Sequence, residues 1–282
     1  MAMRIGTHLT LWQQRWHEDV GPHVDRAAAA GADGVEVSIP TLHGLDVRAL
    51  RRRIETAGLG VTCTTSLLDD TDITSDDPVI RRAGIERLRH DVELTAEMGS
   101  RVLCGVLYAA WSRVFFADPH RARQWSVDAL RQAGEIAARA GVTLGLEALN
   151  RYETSFLNTA AQARGLADEV GLDNVGVHLD SFHMNMEEND MPGAIATAGT
   201  RLVHVHCADG DRGAPGRSHI PWPRLVTALR EVGYDGWLVM ECGTAPGTEI
   251  GTSFSIWREF GDGDAVARAG VSFLRSLLAG TP

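Results

Sequence analysis

Short β-rich runs alternate with longer amphipathic segments along the whole chain, eight times in succession. The candidate strands are residues 4–10 (RIGTHLT), 34–38 (GVEVS), 60–65 (GVTCTT), 101–106 (RVLCGV), 142–148 (VTLGLEA), 175–179 (VGVHL), 202–206 (LVHVH) and 237–241 (WLVME). Helical stretches fall between or after them, at 47–57, 78–98, 120–140, 159–170, 222–232 and 265–278, and an alanine run at 27–30 sits in a first helix. Several helices stop at a glycine followed by an apolar run, as at Gly58, Gly99 and Gly141, the usual C-terminal signal. Strands joined by crossover helices must lie parallel. Eight such units is the number that closes a (β/α)8 barrel; the competing architecture is an open doubly wound sheet. Barrels of this kind run to about 250 residues as one domain, which suits a chain of 282. The glycine-rich stretch 210–216 follows a strand and reads as a βα loop, leaving no domain linker. The sequence therefore predicts an α/β protein, one (β/α)8 domain over residues 1–282.

Composition removes whole chemistries. All 27 cationic side chains are arginine, and lysine is absent. No lysine Schiff base can form with a sugar or with pyridoxal phosphate (PLP), and no Walker A loop can cradle a nucleotide. Carbanion chemistry here has to use carboxylates, histidine, arginine or a metal. The net charge of −10 argues against a nucleic-acid partner or an anionic membrane surface. No apolar run reaches the roughly 18 residues of a membrane span, and no apolar signal region follows Arg4; the expected location is the cytoplasm. Cys63, Cys104, Cys207 and Cys242 show no C-x-x-C pairing, which points to reduced thiols.

In a parallel barrel the active site lies at the C-terminal ends of the strands. The fifth strand ends near Glu147, the sixth at Asp180, the seventh at His206 and the eighth at Glu241, with spacings of 33, 26 and 35 residues. Each spacing is about one βα unit, so the four side chains can share one rim. Alone, each has an ordinary explanation; Asp180 before Ser181 could cap the next turn. Together, three crowded carboxylates repel, and a divalent cation relieves that repulsion. Oxygen donors with one imidazole suit Mn²⁺, Co²⁺ or Mg²⁺. His204, two residues before His206, points to the same face one layer deeper and reads as a core histidine. Cys207 and Cys242 follow proposed ligands by one position, so alternation turns them away from the interior.

The strings LEALNRYETSFLNT (146–159), HLDSFHMNMEE (178–188), HVHCADGDRGAPGR (204–217) and IWR (256–258) resemble those of the ketose 3-epimerases. That group, within the xylose-isomerase-like TIM barrels, includes the D-tagatose, D-allulose (psicose) and L-ribulose 3-epimerases. SLLDDTDITSDDP (66–78) and CGVLYAAW (104–111) extend the likeness over nearly the whole chain. The resemblance implies that Glu147, Asp180, His206 and Glu241 bind a metal, Mn²⁺ first among candidates. It also makes Glu147 and Glu241 the acid/base pair acting on opposite faces of C3 through a cis-enediolate. It casts Glu153, His183 and Arg212 as substrate contacts, with Trp111 and Trp16 as wall aromatics. It further implies a free ketose as substrate and a homodimer or homotetramer. Asp209 stands where the family often has glutamate, and 64–68 is bulkier than in some members. Rival readings are an aldose–ketose isomerase, a 3-keto-glycoside epimerase or lyase, a metal-dependent endonuclease, and a non-catalytic sugar-binding protein. The acidic balance disfavours the endonuclease, and a binder has no use for paired proton-transfer glutamates.

Overall fold

The computed structural model describes residues 3–42, 44–243 and 245–280. Eight strands, β1 (Arg4–His8), β2 (Gly34–Ser38), β3 (Gly60–Leu67), β4 (Val102–Ala110), β5 (Thr143–Ala148), β6 (Val175–Asp180), β7 (Leu202–Cys207) and β8 (Trp237–Met240), pair in sequence order and close into a parallel barrel. Around it run α1 (Gly21–Ala29), α2 (Val47–Thr56), α3 (Pro78–Glu97), α4 (Pro119–Ala140), α5 (Ala160–Val170), α6 (Ser181–Glu187), α7 (Met191–Ala198), α8 (Trp222–Glu231), α9 (Glu249–Ser253) and α10 (Gly263–Ala279). The expected (β/α)8 architecture is what the chain adopts.

Local chemistry explains the element ends. Asp46, Asp77, Asp118 and Asp262 accept backbone N–H bonds at the starts of α2, α3, α4 and α10, satisfying donors that a helix N-terminus leaves free. Thr159 and Gln162 form a reciprocal capping box on α5. Three differences from the sequence reading have physical causes. β1 stops at His8 rather than residue 10, because the His8 ring caps a 3-10 turn at Leu9–Leu11. β3 and β4 run further than expected, to Leu67 and Ala110. Their register jumps from Ser66↔Val106 to Leu67↔Ala110, so β4 carries three extra residues, 107–109, at a bulge. Short α6, α7 and α9 lack the length that makes helical periodicity legible.

The N-terminal mouth of the barrel is plugged by Trp237. A Cβ added at Gly34 or Gly60 would come within 2.4 or 2.6 Å of its indole, and the Arg4 guanidinium covers the ring at 4.0 Å. This end is closed, which leaves the C-terminal mouth for chemistry. Among the described residues, no helix is long and apolar enough to cross a membrane. All four cysteines are free and buried. Cys207 faces the layer of α8 beside Trp222 and Leu225, and the Cys242 thiol contacts the Gly213 carbonyl, so both lie outside the rim cluster.

Candidate active site

The four strand-end residues do converge. Ligand atoms of Glu147, Asp180, His206 and Glu241 lie within 4.8 Å of one another. They are not level along the strands. Asp180 pairs directly with His206, but Glu147 pairs with His178, and His206 pairs with Val239, two residues before Glu241. The offsets are even, and an even shift keeps every side chain on the same face of the pleat. The stagger thus preserves the inward direction. Asp180 also caps α6, accepting the Phe182 N–H at 2.8 Å; the cap and the rim position coexist.

The cluster is electrostatically uneven. Burial, opposed by His206 and reinforced by Glu241 and Asp180, pushes the Glu147 carboxyl well above the usual carboxylate range. Burial also opposes ionisation of Glu241, but His206 and Arg212 outweigh it and hold that carboxyl well below the range. Burial raises Asp180 to about 6 against the pull of Arg212. Two carboxyl groups driven apart in this way can serve as acid and base.

Arg212 sits over the cluster. Its Nη1 donates to Glu241 Oε2 at 2.6 Å and to Asp180 Oδ2 at 3.0 Å, and its guanidinium lies 4.0 Å from the Phe182 ring. The residue is buried and has φ +65°, a left-handed backbone uncommon outside glycine. Asp209 explains how the loop is held. Its carboxylate accepts from Gly216 N, Arg217 N and Trp222 Nε1, and its own carbonyl receives the Arg212 N–H at 2.9 Å. The residue that departs from the family string is therefore a loop anchor and not a lining group.

His183 is fixed by Asn150, whose backbone N–H donates to Nδ1 at 3.1 Å. That bond makes Nδ1 an acceptor, and Nε2 lies 3.3 Å from Arg212 Nη2, 3.6 Å from Asp180 and 4.0 Å from Glu147. Glu153 accepts from Asn150 Nδ2 at 2.9 Å and from Trp111 Nε1 at 3.0 Å. Trp111 is thus both wall and tether. Trp16 donates to Ser253 Oγ at 3.3 Å and meets Phe254 edge-on at 6.1 Å. Glu147, Glu153, His183, His206, Arg212, Glu241, Trp111 and Trp16 line one cavity of about 500 Å³, together with His8, Ser38, Thr64, Thr65, Ser66, Gly105 and Phe254.

Three residues escaped the sequence reading. His8 lines the cavity, its Nδ1 accepting from Thr10 N and its Nε2 facing Thr64 Oγ1 at 3.1 Å. Phe254 joins the two tryptophans; it lies beyond the strands, where no spacing rule reaches. Glu36 lies fully buried beneath the rim, 2.8 Å from His204 Nε2 and 2.5 Å from His206 Nε2. A charged residue inside the apolar run Gly34–Ser38 was its legible signal. His204 is the core histidine expected of it, facing Glu36.

The donor set fits a divalent cation. His206 Nδ1 is buried without a hydrogen-bond partner and faces Glu147 at 3.7 Å and Glu241 at 3.5 Å. A second group, Cys104, His178, His204 and His206, also lies within 4.8 Å. There the Glu36 carboxylate already contacts three of the four, reaching Cys104 Sγ at 3.8 Å.

Comparison with known proteins gives the family. The family described as xylose isomerase-like TIM barrel matches residues 24–277. The D-psicose 3-epimerase of Ruminiclostridium cellulolyticum is 30% identical, over 98% of each chain. The L-ribulose 3-epimerase of Mesorhizobium japonicum is 34% identical, over 96% of this chain and 93% of that one. A crystal structure of D-psicose 3-epimerase with D-tagatose from Clostridium cellulolyticum superposes with a TM-score of 0.94 at 30% identity, covering 98% of this chain and 99% of that one. The chain belongs to the xylose isomerase-like TIM barrels and, within them, to the ketose 3-epimerases. It is an enzyme of the isomerase class.

Proposed function

We propose that residues 1–282 form one catalytic domain that interconverts C3 epimers of free ketoses in a metal-dependent reaction. D-fructose/D-allulose, D-tagatose/D-sorbose and L-ribulose/L-xylulose are the candidate pairs. The observation that carries the reading is the convergence of Glu147, Asp180, His206 and Glu241 within 4.8 Å at the open mouth of the barrel. These four would hold one divalent cation, Mn²⁺ before Co²⁺ or Mg²⁺. When bound, the cation polarises the C2 carbonyl and so acidifies the C3 hydrogen.

The chain's own residues do the rest. Epimerisation removes a proton from one face of C3 and returns one to the other, through a cis-enediolate. Glu147 lies at the end of β5 and Glu241 just past β8, so one carboxylate can take a proton while the other gives one. His183 hydrogen-bonds the O2 region. Arg212 and Glu153 hold the neighbouring hydroxyls. Trp111, Trp16 and Phe254 exclude water from the sugar. No PLP or nucleotide enters this scheme. A cytoplasmic homodimer or homotetramer, as in the resembled family, completes the reading, and sedimentation velocity checks the assembly.

The test is proton exchange in D₂O across a ketose panel, with Mn²⁺, Co²⁺ and Mg²⁺ supplied in turn. Deuterium at C3 with appearance of the C3 epimer is expected. Deuterium at C1 or C2 would replace this reading with an aldose–ketose isomerase, and turnover confined to 3-keto-glycosides would replace the free ketose.

A further inference from the structure

Beneath the rim lies a sealed polar tier that the proton-transfer scheme does not use. Its centre is Glu36, midway along β2 and 0% exposed. Oε1 meets His206 Nε2 at 2.5 Å, Oε2 accepts from Thr62 Oγ1 at 2.6 Å, and His204 Nε2 lies 2.8 Å from Oε2. A carboxylate in a barrel interior is costly unless each oxygen is bonded. Here both are, and one bond reaches a residue of the candidate cation cluster.

The two nitrogens of His206 have different surroundings. Nε2 meets Glu36, while Nδ1 is buried, unpartnered and turned toward Glu147 and Glu241. An imidazole that loses the partner on one nitrogen can change tautomer or turn its ring. A carboxylate on the outer nitrogen fixes the tautomer and makes the inner one a better donor.

We propose that Glu36 is a positioning residue, which holds His206 so that Nδ1 is the nitrogen presented to the divalent cation. This rests on the cation reading above. Thr62 and His204 orient Glu36 in turn, which gives the buried polar tier a purpose: it sets the direction of one ligand above it. The second Cys104–His178–His204–His206 group is then no separate metal centre, because Glu36 already engages Cys104, His204 and His206.

Equilibrium dialysis of the metal-stripped chain against Mn²⁺ measures the effect directly. Glu36→Gln is expected to weaken Mn²⁺ binding about 10–100-fold, and Glu36→Ala at least as much, with circular dichroism unchanged. Wild-type affinity in both variants would overturn the role of Glu36 and leave the cation reading standing. Failure of the wild-type chain to take up one Mn²⁺ would bring down the cation reading and this inference with it. A measurement on the wild-type chain covers the case in which the variants do not fold. In NMR of nitrogen-labelled histidine with spin-active Cd²⁺, one-bond coupling to the metal is expected at His206 Nδ1, with the proton on Nε2. Coupling at Nε2 would overturn the proposal.

Discussion

Strands β5–β8 deliver Glu147, Asp180, His206 and Glu241 to one spot, whereas β1–β4 bring His8, Ser38, Thr64, Thr65, Ser66, Gly105 and Val106 to the same cavity. One half of the barrel presents carboxylates and the other, apart from the His8 imidazole, a wall of mostly small residues. The exception in the first half, Glu36, reaches the chemistry only from below, through His206. Apart from the β4 bulge the two halves share one backbone plan, so the charge division comes from side chains. Loss in the second half should therefore strike turnover, and loss in the first half should strike stability or sugar binding.

The largest expected effect is metal removal. Exhaustive chelation, verified by elemental analysis, should abolish deuterium incorporation at C3, and Mn²⁺ should restore it. Full activity without metal would erase the contrast between the halves. Next, Glu147→Gln and Glu241→Gln should each lower kcat about 10²–10⁴-fold with an unchanged unfolding transition. Near-wild-type turnover in either would break the paired-carboxylate scheme. In the first half, Gly34→Ala places a Cβ 2.4 Å from the Trp237 indole and 2.8 Å from the Gly60 carbonyl. Overpacking of that kind costs about 1–3 kcal/mol, read by denaturant unfolding, while kcat per folded molecule should hold.

A smaller effect belongs to Trp111, the β4-side residue that touches a second-half carboxylate. Trp111→Phe keeps a ring but removes the donor to Glu153. A lost hydrogen bond of about 1 kcal/mol predicts roughly a fivefold rise in KM with kcat little changed. The smallest concerns Glu187, which accepts from Arg151 N, Nε and Nη2 and so ties the 149–158 loop to α6. The Arg151 side-chain bond holds the Glu187 carboxyl below its ordinary value of 4.5, against burial. A depressed carboxylate contributes stability that is complete above 4.5 and fades as pH falls through its lowered folded value. Glu187→Gln should lower thermal stability slightly near neutrality and remove this group's share of the fall below pH 4.5, so that variant and wild type converge in acid.

Much of this was legible in the chain. Periodicity located all eight strands, because each is a short apolar run followed by a helix-length segment ending near glycine. The four rim residues were legible because a polar residue closing an apolar strand has one natural place in a barrel. The stagger was not, since shear is a property of closure and leaves no mark on any single strand. Glu36 stood in plain view within GVEVS, but its meaning depends on His206, 170 residues away. Phe254 belongs to a loop whose path is set by tertiary contacts. The bulge in β4 escaped because its three extra residues are as apolar as the strand around them.

That bulge has a consequence for anyone redesigning the cavity. Gly105 opens it at φ +116°, where a Cβ would meet the Thr65 carbonyl at 2.2 Å, and the chain rejoins β3 only at Ala110. Trp111 follows at once, its N–H bonded to the Leu67 carbonyl at 2.8 Å. Strand pairing from 102 to 105 is complete before the excursion begins. The tryptophan's reach over the cavity is therefore metered by the length of a detour. One residue added or removed there should resize the cavity while the carboxylates on the far wall keep their places.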